Sequence, residues 1–479
     1  MKNSHHIPLI AIVGRPNVGK SSLFNALIGK RSAIVAEETG TTRDRLIASV
    51  EFEGYHFLLA DTGGLVPQPE NEIETHIEAQ VNEALEIADA IIFVTDIRTG
   101  PIFADQEVAR KLRSTEKPVI VAANKADNYN LENMMSEIYS LGLFDVITVS
   151  AIHRRGLGEL LDSVLSKIRL PQEIEEAIDM PRFALVGRPN VGKSAIANAI
   201  LDEERSIVSD IPGTTRDSLD SEFEFNGEKA VLIDTAGIRR RGAITPGVEK
   251  FSVLRSATAI HRCDVAILIL DATQPATDQD LHIAGQAVDA FKSILVVVNK
   301  WDLIETDDYR REEKRYIYML QSRFRFIPNV PVVFTSAIDK FGIDTLVKEA
   351  LKLFTKRNQW IDQPSLSRAV TDAISRHLPP SMGPKGSLKL YRVKQDSVRP
   401  PTFVFYVNNT SRIHFSYERY LANTIREEFE FYGIPMKIEF RGKGGVHVIG
   451  DNRSKATARK RKLTKTKNPN AERRRRMNE

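Results

Sequence analysis

Lys20 and Ser21 close the run Gly14-Arg15-Pro16-Asn17-Val18-Gly19-Lys20-Ser21, a combination suited to holding a polyphosphate. In the pattern G-x-x-x-x-G-K-[ST], the two glycines let the backbone approach an anion with no Cβ in the way. Backbone N–H groups and a helix N-terminus then surround the phosphates. Lys20 is placed to reach the β/γ-phosphates, and the Ser21 hydroxyl offers an oxygen to Mg2+. The same eight residues return 173 positions later as Gly187-Arg188-Pro189-Asn190-Val191-Gly192-Lys193-Ser194.

Further signatures repeat in step. Gly40-Thr41-Thr42-Arg43-Asp44 returns as Gly213-Thr214-Thr215-Arg216-Asp217, and Asp61-Thr62-Gly63-Gly64 as Asp234-Thr235-Ala236-Gly237, both again 173 residues on. Asn124-Lys125-Ala126-Asp127 returns as Asn299-Lys300-Trp301-Asp302 at 175, and Ser150-Ala151 as Ser336-Ala337 at 186. The chain is therefore a tandem duplication. Asp61 and Asp234 are expected to support Mg2+, and Thr42 and Thr215 to complete its shell only when a γ-phosphate is present. That would couple loop order to nucleotide state. Gly64 and Gly237 are expected to offer a backbone N–H to the γ-phosphate and to act as hinges. Asp127 and Asp302 can accept from the N1–H and N2–H2 of guanine together. Adenine has no such donor pair, and a site built on buried polar groups rejects the wrong base strongly. Ser150-Ala151 and Ser336-Ala337 are expected to hold the base through backbone groups. The ligand of both sites is thus GTP or GDP with Mg2+.

These motifs need strand ends to present them. Leu9–Val13 precedes the first phosphate loop, and Phe57–Ala60, Ala90–Thr95, Val119–Ala123 and Val146–Val149 read as buried strands. In the second copy Ala230–Ile233, Val265–Leu270, Ile294–Val298 and Val332–Thr335 do the same. Continuous apolar runs separated by helical stretches predict an α/β fold, a mostly parallel sheet with helices on both faces. Ligands of such sheets bind at the carboxyl ends of the strands. The extra residues of the second copy enter around Tyr309–Ile327. We read residues 7–170 as one nucleotide domain, 171–180 as an acidic, proline-bounded linker, 181–355 as the second nucleotide domain and 356–450 as a small α+β module. In that module Ser365–His377 and Phe415–Tyr432 read as helices, and Leu388–Val393, Thr402–Val407 and a last strand, Pro435–Phe440, as its sheet.

Residues 451–479 carry twelve Lys/Arg against three Asp/Glu. That local +9 within an overall +4 leaves the rest of the 479-residue chain at −5, an asymmetry that points to a polyanionic partner. With almost no apolar residues the tail is expected to be disordered and to contact ribosomal RNA through its phosphates. Cys263 is the only cysteine, which excludes an internal disulfide and fits a reducing cytoplasm. It is expected to be a buried structural thiol. No apolar run approaches the ~18 residues of a membrane span, and the N-terminal apolar segment reads as the first strand instead of a signal peptide.

The doubled GRPNVGKS with GTTRD resembles the Der (EngA) family of bacterial GTPases over roughly Ile7 to Phe440. The resemblance implies two tandem Era-like P-loop GTPase domains and a C-terminal KH-like domain. It also implies a cytoplasmic GTP-hydrolysing factor for assembly of the large (50S) ribosomal subunit, monomeric off the ribosome. Where other GTPases follow this aspartate motif with a Gln that orients the attacking water, Leu65 and Ile238 stand here. Relatives with that apolar replacement resemble one another in using potassium, held partly by an Asn of the phosphate loop. Asn17 and Asn190 occupy that position, either as K+ ligands or as turn residues. Arg43 and Arg216 fit a finger arginine or a surface ion pair equally. Gly383-Pro384-Lys385-Gly386 spells the GXXG of RNA-binding KH folds but precedes a strand, so we read it as a turn. Phe415, Tyr417, Tyr420, Phe429 and Phe431 are expected in core and interface. The rival reading is a nucleotide-responsive RNA-binding scaffold with little turnover at one or both sites. The sites also differ, since the first carries Asp-Thr-Gly-Gly and the second Asp-Thr-Ala-Gly, with Ala236 in place of Gly63 and Arg239-Arg240-Arg241 following.

Overall fold

The computed structural model describes residues 7–29, 47–64, 81–82, 84–127, 135–143, 145–168, 180–201, 220–235, 252–379, 388–410, 413–443 and 445–450. Both glycine-threonine-arginine segments (with Thr42 and Thr215), Leu65, Ala236, Gly237, Ile238, residues 171–179 of the linker, the Gly383–Gly386 turn and the basic tail lie outside them.

The first sheet comprises β1 (Leu9–Val13), β2 (Ile47–Phe52), β3 (Tyr55–Asp61), β4 (Ala90–Asp96), β5 (Val119–Asn124) and β6 (Val146–Thr148), in the order β2-β3-β1-β4-β5-β6. The second comprises β7 (Arg182–Val186), β8 (Ser221–Phe225), β9 (Glu228–Ile233), β10 (Val265–Asp271), β11 (Ser293–Asn299) and β12 (Val332–Phe334), in the equivalent order β8-β9-β7-β10-β11-β12. Pairing is parallel except in the edge hairpins β2/β3 and β8/β9. Every strand expected in these two domains forms, because runs such as Leu9–Val13 are buried on both faces and need cover on both. Each sheet accordingly separates two apolar clusters. The covering helices include α1 (Lys20–Ile28), α2 (Phe103–Leu112) and α3 (Leu157–Lys167), then α4 (Lys193–Ile200), α5 (Ser252–Arg262), α6 (Asp278–Asp289), α7 (Tyr309–Arg323) and α8 (Ile343–Arg357). α7 lies in the segment where the extra residues of the second copy enter. Asp308 caps it by accepting from Arg311 N at 3.1 Å, and Tyr316 packs its ring edge-on against Trp301, with centroids 5.0 Å apart.

The third sheet follows α9 (Gln363–Arg376). It holds β13 (Leu390–Val398), β14 (Pro401–Asn409), β15 (Lys437–Lys443) and β16 (Gly445–Gly450) in that order, with α10 (Phe415–Glu428) between β14 and β15. Only β14/β15 is parallel. Two expectations need correction. The strand after the long helix is not the last, because it runs to Lys443 and β16 pairs antiparallel beside it, with Gly442 opposite Gly445. The helix itself stops at Glu428, since Glu430 and Gly433 take φ of 54° and 70°. Phe431 and Tyr417 are buried, and Tyr420 and Phe429 pack against the same cluster, as expected of core aromatics.

The modules share cores. One apolar cluster runs from β7 and α4 through Leu353 and Phe354 of α8 to Phe403, Phe405 and Phe440 of the third sheet. At that junction buried Arg357 donates to Phe291 O at 2.7 Å, and Ile294 N donates to Gly433 O at 2.7 Å. The first two modules meet at α5, where Ala257 joins the first module's cluster and Arg255 pairs with Glu86.

Candidate functional site

Both phosphate loops adopt one backbone path. Gly14 and Gly187 have φ of 148° and 146°, and Gly19 and Gly192, which open α1 and α4, have 96° and 98°. A Cβ on Gly14 would lie 2.4 Å from Val94 O, and one on Gly187 the same distance from Ile269 O. No side chain fits there, which is why the motif demands glycine. Asn17 and Asn190 share a left-handed φ of 65° and 63°, while Val18 and Val191 anchor each loop in its core. Lys20 Nζ donates to Gly14 O (2.7 Å) and Arg15 O (2.9 Å), and Lys193 Nζ to Gly187 O (2.8 Å) and Arg188 O. Burial lowers the Lys20 pKa to about 8, against the pull of Asp61.

Arg15 and Arg188 direct their side chains into the scaffold. Arg15 Nε bonds Asp105 Oδ2 at 3.0 Å and Arg15 Nη2 bonds Thr99 Oγ1 at 2.7 Å. Arg188 Nε bonds Asp280 Oδ1 at 3.0 Å and its Nη2 bonds Gln274 O at 2.8 Å. Asp105 and Asp280 are wholly buried and also cap α2 and α6, accepting from Ile102 N and Thr277 N. Sequence reasoning missed both. The 175-residue offset that relates the Asn-Lys-x-Asp motifs also relates Asp105 to Asp280, and that was the available signal.

Asn124 and Asn299 weld the loops together. Asn124 Nδ2 donates to Val18 O at 2.9 Å, and its Oδ1 accepts from Ala151 N at 3.2 Å. Asn299 does the same with Val191 O (2.9 Å) and Ala337 N (3.3 Å). Lys125 and Lys300 are left-handed, φ 68° and 63°. Their ammonium groups reach Asp96 and Asp271, each at 2.6 Å, and Lys125 also reaches Asn17 O at 2.8 Å. Ala126 N and Trp301 N donate to Val149 O and Thr335 O, both at 3.1 Å. Phosphate loop, Asn-Lys-x-Asp and Ser-Ala therefore converge at one sheet edge in each copy.

The copies differ at the closing carboxylate of Asn-Lys-x-Asp. Ser150 Oγ bonds Asp127 Oδ1 at 2.6 Å, and Arg98 pairs with Oδ2. Ser150 and then Arg98 hold that carboxyl below its ordinary range. Thr273 stands where Arg98 would be, Ser336 bonds Asp339 instead, and Asp302 makes no ion pair among the described residues.

They differ also where the aspartate motif leaves the sheet. Asp61 ends β3, is 3% exposed and accepts from Gly63 N at 2.9 Å. Thr62 Oγ1 donates to Ile12 O at 2.8 Å. A Cβ on Gly63 would sit 2.4 Å from Lys20 Cε, so the lysine passes directly over this turn. In the second copy the strand ends one residue sooner, and Asp234 takes a φ of 59°. Its N–H donates to Asp220 Oδ1 at 3.1 Å, while Thr235 Oγ1 lies 2.7 Å from Ser221 Oγ. A carboxylate at a strand end and a hydroxyl in the first turn of a helix are both hard oxygen donors, and by donor chemistry Ser21 with Asp61 and Ser194 with Asp234 fit Mg2+ better than a softer ion.

Cys263 is buried and its pKa is pushed up to about 12 by that burial. No described helix is long and apolar enough to cross a membrane.

Residues 9–125 and 182–300 match the family model described as 50S ribosome-binding GTPase. Residues 361–441 match the KH-domain-like C-terminal domain of EngA bacterial GTPase enzymes. The GTPase Der of Thermomicrobium roseum is 46% identical over 91% of this chain and 96% of its own. That of Clostridium acetobutylicum is 44% identical over 91% and 98%. Among solved structures, Era in complex with MgGDPNP and a 16S ribosomal RNA fragment aligns over 52% of this chain and 87% of its own, at 22% identity and a TM-score of 0.29.

Proposed function

The chain belongs to the GTPase Der family and is a GTPase, and from that premise we propose that it is a two-site switch in assembly of the large ribosomal subunit. Each G domain holds one GTP or GDP with Mg2+. Lys20 and Lys193 neutralise phosphate charge, and Ser21, Asp61, Ser194 and Asp234 would hold the ion, with Thr42 and Thr215 expected to complete its shell when a γ-phosphate is bound. Asp127 and Asp302 read guanine. Mg2+ supplies charge neutralisation across the phosphates when bound. Leu65 and Ile238 can neither donate nor accept, so the attacking water is oriented by other groups. In this reading Asn17 and Asn190 would hold K+, whose charge would do the work of an arginine finger. Turnover equal in sodium and potassium buffers would remove that last assignment. The basic tail and the KH-like domain engage ribosomal RNA in the cytoplasm.

What supports this reading most is the doubled weld: Asn124 and Asn299 each tie a phosphate loop to a base-facing loop with the same two bonds. The test is co-sedimentation of the full chain with large subunits, in GDP and in a non-hydrolysable GTP analogue. Association favoured by the analogue is expected, whereas equal association in both states would defeat the switch.

A further inference from the structure

We propose that Asp220 and Arg262 form a clamp, confined to the second G domain, that positions Asp234 for Mg2+. The inference rests on the reading of Asp234 as a Mg2+-supporting carboxylate. Asp220 lies immediately before β8 and uses both oxygens: Oδ1 accepts the Asp234 N–H at 3.1 Å, and Oδ2 accepts from Arg262 Nη2 at 2.7 Å. Arg262 ends α5, and the pair is mostly buried, with side chains 10% and 14% exposed. Alongside, Ser221 Oγ meets Thr235 Oγ1. The start of the aspartate motif is thus fastened to β8 and α5 by polar bonds.

The internal repeat supplies the control. Strand register equates Ser221, opposite Leu232, with Ala48, opposite Leu59, so Asp220 corresponds to Ile47. Equating Val265 with Ala90, which pair with Phe183 and Ile10, makes Arg262 the counterpart of Ile87. Ile47 is buried and Ile87 packs against the same apolar cluster. Three polar residues in one copy stand where the other has Ile, Ala and Ile. The backbone responds: Asp61 stays in its strand and Thr62 bonds β1, whereas Asp234 is left-handed and Thr235 turns to β8. An apolar pair suffices to pack the helix on the sheet, so the charges serve something beyond packing. A left-handed non-glycine residue is held only where its surroundings over-determine it, and the Asp220 bond does that. Asp220 and Arg262 are positioning residues acting through Asp234.

The test uses the full chain with Asp127→Asn, so that guanine is read at the second site alone. It measures the Mg2+ concentration that half-maximally slows release of a fluorescent GDP. Asp220→Asn, which keeps the volume, and the double variant Asp220→Ile/Arg262→Ile, which installs the first domain's own pair, should both raise that concentration. About tenfold is expected for the double variant, the usual effect of removing a group that orients a metal ligand. GDP affinity with Mg2+ chelated, and the melting temperature of the double variant, should stay at the parent's values. Parent-like Mg2+ dependence in both variants would overturn the clamp. Asp234→Asn separates the two failures: if it leaves the Mg2+ requirement unchanged, the reading of Asp234 falls and the clamp with it. If it raises the requirement while the clamp variants do not, the clamp alone falls.

Discussion

Lys20 is 8% exposed, and burial lowers its pKa from the ordinary 10.5 to about 8. Because the folded value lies below the unfolded one, the unfolded chain binds more protons between those two pH values. Stability of the first G domain therefore rises with pH from about 8 to 10.5 as the buried ammonium loses its proton. Phosphate binding has the opposite demand, since it needs the charged form. Above pH 8 the lysine must take up a proton when nucleotide binds. In a chain whose second site carries Asp302→Asn, GDP affinity should fall about fivefold between pH 8 and 9, with calorimetry in two buffers reporting proton uptake that rises from about half a proton at pH 8 to about one at pH 9. Lys20→Arg should show neither effect, and flat affinity in the parent would contradict the assignment. The residue's role was legible because G-x-x-x-x-G-K-[ST] names it. Arg15 sits in the same motif, yet motif reading placed it with the ligand, while its side chain serves Asp105 and Thr99. A pattern records which positions matter, and it does not record where each side chain points.

At the scale of elements, α2 and the first phosphate loop depend on one carboxylate. Asp105 accepts from Ile102 N at the start of α2 and from Arg15 Nε in the loop, although burial raises its pKa. Asp105→Ala would leave a helix start uncapped and a guanidinium at 15% exposure without its anion. A destabilisation of about 3–5 kcal/mol is expected in denaturant unfolding of the first G domain, most of it from the broken pair. Asp105→Asn keeps an acceptor and should cost clearly less, and equal losses would show that charge is irrelevant there. Elements with unbroken apolar runs, such as β4 and β10, could be read straight from the chain. The edge strands β2 and β8 could not, since they alternate burial and pair antiparallel. Their signal lay in the turns: Glu53-Gly54 and Asn226-Gly227 have φ of 51° and 83°, and 51° and 85°, the two positive values of a tight hairpin.

For the whole molecule, the second G domain and the KH-like module share one apolar core and are expected to unfold together. Their shared core passes through α8, which runs to Arg357 and so across the division a reader would draw at 355. Repeats and motifs report only what lies within each copy, so this junction left no trace in them. Its narrowest point is Gly433, with φ +70° and its carbonyl bonded to Ile294 N. A Cβ there would stand 2.5 Å from Ile294 O and 2.6 Å from Pro331 Cδ, so Gly433→Ala meets both a steric and a conformational obstacle. Calorimetry of the full chain should show two transitions, one for the first G domain and one for the second G domain together with the KH-like module. Gly433→Ala should lower the second by about 5 °C or split it, and leave the first in place. GDP saturation in an Asp127→Asn background identifies which transition is which, because ligand raises only the unit that binds it. Three independent transitions in the parent would mean that the buried junction does not couple folding.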